Sequence, residues 1–202
     1  MKKMSWLLLI IFAVFGGHVA CSSSGGDNGP TGPSADELIT EGWQAFENGD
    51  FQTAYDKFNG ARQQDASLVE IYSGLGWSLL RLDNLAQAKT EFNVGTTKTD
   101  VPADLYAGGA FVLNALKDYR GSNLQADLAF SREQNWTFSH GTGLNADDLR
   151  VLKAQNHFLL TNFALSLSEV KKLNPSFTAD VQTTAGRQML AAEIERLRIQ
   201  TH

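Results

Sequence analysis

Cysteine is almost missing from this chain of 202 residues. There is one, Cys21, so no disulfide can close within the chain, and no thiol is left beyond it for metal or nucleophilic chemistry. Proline is scarce too. None of the four falls between Pro33 and Pro102, which permits unbroken helices over that stretch. Histidine is limited to His18, His140, His157 and His202, with no pair at metal-ligand spacing, and no Gly-rich phosphate loop follows a strand pattern. His157 falls inside a helical stretch, where a hydrogen-bonded core histidine is expected. Asp147-Asp148 read as a helix start, and Glu193 with Glu195 as a solvated face. Positive charge is sparse as well: 17 Lys plus Arg against 22 Asp plus Glu give a net charge of −5 with no basic patch, which argues against a nucleic-acid partner. These absences leave little for catalysis and imply no metal and no cofactor. What remains is 43% hydrophobic and 19% charged, the composition of one domain with a real core.

Long apolar runs are missing also. Lys2-Lys3 precede a ten-residue run, Trp6 to Phe15, that Gly16-Gly17 end. This suits a secretory signal over residues 1–20 and falls short of the roughly 20 residues that span a membrane. The run leads into His18-Val19-Ala20-Cys21, which resembles a bacterial lipoprotein signal, where the Cys becomes the lipid-bearing first residue. Val19, Ala20 and Cys21 fit that pattern; His18 stands where an aliphatic residue is usual. The resemblance implies lipidation at Cys21 and a membrane anchor in a bacterial cell envelope, on the periplasmic face or the cell surface. The rival is secretion to the periplasm without a lipid. Residues 21–34 read as a disordered tether, because Ser22 to Ser34 are Ser/Gly/Pro-rich with no apolar face.

From residue 35 onward one period of 34 residues organises the chain. Tyr72, Leu75, Gly76, Leu79, Ala88 and Phe92 carry it most clearly. One period back stand Leu38, Gly42, Ala45, Ala54 and Phe58; one period on stand Tyr106, Ala110, Leu113, Ser122 and Ala126. The small residues fall where two helices would touch, and the large ones fill the space between units. Asp50, Asn84 and Asp118 fall where second helices should begin and can cap them, with Gln87 completing a capping box on Asn84. Gly121-Ser122-Asn123 threaten the second helix of the third unit. The pattern resembles the tetratricopeptide repeat (TPR) signature. It implies an all-α, right-handed solenoid of three to four antiparallel helix pairs over residues 35–177. A divergent fourth pair, displaced about ten residues, starts at Asn145, and a capping helix over 178–202, from Thr178, closes the array.

In the family the residue after the signature Gly points into a concave groove. Here that is Trp43, Trp77 and Phe111. One turn on come Phe46, Leu80 and Asn114, with Glu47 and Arg81 beside the first two. The resemblance implies a non-catalytic scaffold that binds an envelope protein or peptide in this groove; the competing expectation is that the aromatics pack inward. The apolar Ile39 and Trp43 argue against the carboxylate-gripping mode of some TPR domains. Between the third and fourth units, Glu133 to Leu144 break the pattern. Trp136, Phe138 and His140 alternate, so an extended segment would put them on one face. Two outcomes are open: a ligand-contacting loop, or a strap whose aromatics plug the domain, which is preferred because large aromatics on a loop need burial. Exposed, these aromatics would instead suit a glycan or another small ligand.

Overall fold

The computed structural model describes residues 32–201. The expected signal, Cys21 and nearly all of the tether lie outside the described residues. The described residues from Pro33 onward fall in a unit spanning Pro33–His202, and among them the helices are α1 (Ala35–Glu47), α2 (Phe51–Gln64), α3 (Val69–Arg81), α4 (Leu85–Gly95), α5 (Ala103–Ala115), α6 (Tyr119–Arg132), α7 (Ala146–Leu159), α8 (Phe163–Leu173) and α9 (Thr184–Gln200). No described helix is long and apolar enough to cross a membrane.

Each pair turns over through one residue of positive φ: Gly49, Asp83, Lys117 and Thr161. The first three are one period apart and the fourth is ten residues late, as the displaced fourth pair requires. The residue after each begins the cap. Asp50 accepts from the Thr53 N–H and Asp118 from the Gly121 N–H. Asn84 departs from expectation: it makes no side-chain cap, and its amide donates to Gln87 Oε1 at 2.7 Å instead. Capping boxes start two helices, one between Ser34 and Glu37 on α1 and one between Asn145 and Asp148 on α7.

Aromatic rings lock the first three pairs together. The Phe58 ring lies between Gly42 and Gly74, and the Phe92 ring between Gly76 and Gly108. A Cβ at Gly74 or Gly108 would stand 2.4 or 2.2 Å from the ring, so the absent side chain is the space the ring fills. At the third junction the period supplies Ala126, and a polar network does the joining. Ser122 Oγ donates to the Ala110 carbonyl, Asn156 Nδ2 donates to Ser122 Oγ and Asn123 Oδ1, and Asn114 Nδ2 donates to Asn156 Oδ1. This network keeps Gly121-Ser122-Asn123 helical, so the expected break in α6 does not occur.

Odd-numbered helices pack on odd-numbered ones, α1 on α3, α3 on α5, α5 on α7, while α9 covers both α7 and α8. The last helix starts at Thr184 rather than Thr178. Residues 174–183 fold back on its first turn, where Thr183 caps the Gly186 N–H and Arg187 Nε donates to the Val181 carbonyl. A Cβ at Gly186 would lie 1.9 Å from the Asp180 carbonyl oxygen, which fixes glycine there.

Candidate functional site

The odd helices present a common face, the concave one in the TPR family. Trp43, Trp77 and Phe111 do line it, but it is not open. The segment 133–145 crosses it from the end of α6 to α1. This segment is pinned at its base by an antiparallel bridge, with the Phe138 N–H donating to the Leu144 carbonyl and the Ala146 N–H to the Trp136 carbonyl. Gly141 and Gly143, both at positive φ, turn its tip. The alternation expected from sequence holds: Thr137 and Ser139 face solvent while Trp136 and Phe138 are buried. Phe138 meets Trp77 at 4.3 Å between ring centroids and touches Trp43 and Phe46 at 6.0 Å each. Trp136 sits near Phe111. His140 stacks flat on Trp43, with centroids 3.6 Å apart and planes 2° from parallel, and its Nδ1 lies 3.2 Å from Glu47 Oε1. This segment is a strap.

Three indole N–H groups tie the strap and the helices together. Trp43 donates to Glu70 Oε1 at 2.8 Å, Trp77 to the Asp104 carbonyl at 3.2 Å, and Trp136 to Asp104 Oδ1 at 2.5 Å. Burial raises the Asp104 carboxyl above the ordinary aspartate value, against the Trp136 hydrogen bond and the His140 charge, which favour ionisation; Glu133 and Glu70 add to the rise. Two clefts stay open beside the strap. One, of about 370 Å³, is walled by Asp36, Thr40, Glu47 and Glu70. The other, of about 340 Å³, is walled by Glu70, Ser73, Asp100 and Asp104. Trp43 and His140 divide them.

The remaining expected residues separate. Phe46 and Trp77 are sealed in the core under the strap, so they are not an exposed groove. Leu80 is half-buried against that core. Arg81 lies over the Phe51 ring at 4.5 Å rather than reaching across the face. Asn114 is spent on Asn156 in the third junction. The glycan expectation required exposed aromatic faces. Trp136 and Phe138 are buried and His140 is stacked, so no such platform forms here. Glu70, Asp104 and Ser73 went unread in sequence. Their signal was available, since Asp36, Glu70 and Asp104 lie one period apart.

No family model matches the chain, and no curated protein matches it. Solved structures do. YrrB, described as a TPR protein with an unusual peptide-binding site, aligns at a TM-score of 0.63 with 14% identity, over 82% of this chain and 87% of that one. Pseudomonas aeruginosa PilF aligns at 0.61 with 10% identity, over 83% and 73%. A tetratricopeptide repeat protein from Parabacteroides merdae aligns at 0.59 with 12% identity, over 84% of this chain; the match spans 62% of that longer protein. At these identities the likeness is one of fold: the chain folds as an all-α TPR-like helical repeat.

Proposed function

We propose that the chain is a non-catalytic scaffold that binds a protein or peptide partner along its odd-helix face, in a bacterial cell envelope, held to the membrane through a lipid on Cys21. One observation carries the binding reading. The face already holds an extended stretch, Trp136 to His140, laid across three successive helices by alternate side chains. That is how a repeat groove engages an extended peptide, with pockets for every second residue. The peptide-binding site named in the description of YrrB puts a peptide ligand on the same fold. The envelope reading rests on the apolar run and on Val19-Ala20-Cys21.

The test immobilises residues 33–202 and captures partners from envelope extracts of the source organism. Thr40→Arg/Gln44→Trp alters exposed residues that wall the first cleft; Leu124→Glu alters an exposed position on α6. A partner lost with the first variant and kept with the second is the expected result. A partner kept by both, or none retained by the wild type, overturns the reading. For the anchor, a fatty-acid analogue should label the wild type in cells but not Cys21→Ser. An unlabelled wild type removes the lipid.

A further inference from the structure

The strap covers one track of the odd-helix face and leaves a second track beside it. Asp36, Glu70 and Asp104 lie seven residues before Trp43, Trp77 and Phe111, hence two turns along the same helix faces, about 10 Å away. The bland account of an acid in a helix's first turn is the macrodipole, and it holds for each residue alone. It does not account for what surrounds them. No Lys or Arg walls either cleft, and none pairs with Asp36, Glu70, Asp100 or Asp104 among the described residues. Asp104 is half-buried with its carboxyl pushed up and only acids and one imidazole for charged neighbours. Ser73, 3% exposed, walls the second cleft, and its hydroxyl has no hydrogen-bond partner among the described residues.

We infer that this acidic track, Asp36–Glu70–Asp104 with Ser73 below it, is the site for a basic peptide segment carrying Arg or Lys side chains. This rests on the scaffold reading and names the chemistry of the partner. Among the described residues no three His, Cys, Asp or Glu converge closely enough to hold a metal ion. Glu70 and Asp104 each give one oxygen to an indole, which fixes the carboxylate against the aromatic wall. A guanidinium can take the remaining oxygen and a side-chain hydroxyl together. Packed helices lie about 8–10 Å apart, and an extended chain advances about 3.3 Å per residue. Successive rungs therefore match basic residues three apart.

The probe is an end-blocked hexapeptide of glycine and serine with arginine at its second and fifth positions, titrated into residues 33–202 and followed by NMR. Its control replaces both arginines with citrulline, which is uncharged and of the same shape. Saturable shifts of the Trp43 indole and Ser73 amide, at least about tenfold tighter for arginine than for citrulline and weakened by salt, are expected. Asp36→Asn/Glu70→Gln, which keeps an acceptor for Trp43, should abolish that difference while circular dichroism stays unchanged. Equal binding of both peptides, an unaffected double variant, or shifts confined to other faces overturn the inference. Running the double variant in the envelope capture separates the two readings. If it still retains the partner while the peptide fails, the track falls and the scaffold stands. If the peptide binds as described while no partner is captured, the reverse holds.

Discussion

Phe58 and Phe92 take up room that pairs of glycines leave, and this makes single atoms decisive. A methyl group at Gly74 would enter the Phe58 ring at 2.4 Å, with Gly42 closing the other side. Gly74→Ala should therefore cost about 1–3 kcal/mol by overpacking, despite alanine's better helix propensity. The midpoint of urea unfolding measures it; an unchanged or raised midpoint would show that the ring moves freely. Charge acts at the same scale at Asp104. Burial, the largest cause, lifts its carboxyl above the ordinary value of about 3.9. Between that value and the raised one the native state binds more protons than the unfolded state, so stability falls as pH rises through the window. Asp104→Asn removes this slope, and its amide oxygen can still accept from Trp136. The urea midpoint of the wild type measured against that of the variant should fall as pH rises from 3.5 to 7. Parallel profiles would place the slope elsewhere.

The strap has one isolated antiparallel bridge, at its base, for regular structure. Beyond that bridge it is held by side chains set into the odd-helix face, and Phe138 is the hub, in ring contact with Trp43, Phe46, Trp77, Trp136 and His140. Phe138→Ala should release the strap at a loss of up to about 3–5 kcal/mol, the range for a large aromatic removed from a core. In residues 33–202 the tryptophans are Trp43, Trp77 and Trp136, all on this face. Their emission should therefore shift to the red without denaturant while helix content by circular dichroism holds. An unshifted emission would mean that the face stays closed without Phe138. The alternation 136–138–140 was legible in sequence because a two-residue period needs no partner to be seen. Where the strap lands was not, since that depends on which helices lie beneath it. Asn114 misled for a related reason. Its groove position is set by the repeat, but its partner Asn156 lies beyond the insertion, out of register with the period.

Across the whole unit the apolar packing falls into two cores. The larger runs from Leu38 to Leu152 and the smaller from Val151 to Leu197, with α7 contributing to both. The helix pairs, their turns and the displaced fourth pair were readable from the 34-residue period, because stacked repeats make only neighbour contacts and carry those contacts in sequence. The junction between the cores was not, because there the aromatic wedge gives way to Asn114, Ser122, Asn123 and Asn156. His157 borders it, with the Asn123 amide 3.4 Å from its ring nitrogens. Burial, and then the Lys153 charge, lower its pKa against the pull of Glu169 and Asp127. Between that lowered value and about 6.5 the unfolded state binds the proton and the native state does not. Stability from this group is therefore complete above about pH 6.5 and is lost as pH falls through the window. Glu169, held low by Lys172 and Lys153 against its own burial, titrates below that range and does not contribute there. Native-state hydrogen exchange at pH 7.5 and 5.5, with rates converted to opening free energies, should show α8 and α9 opening more easily at the lower pH while α3 and α4 hold. His157→Gln should remove the difference. Equal loss across all helices would show that the two cores unfold as one and that the polar junction couples them as tightly as the rings do.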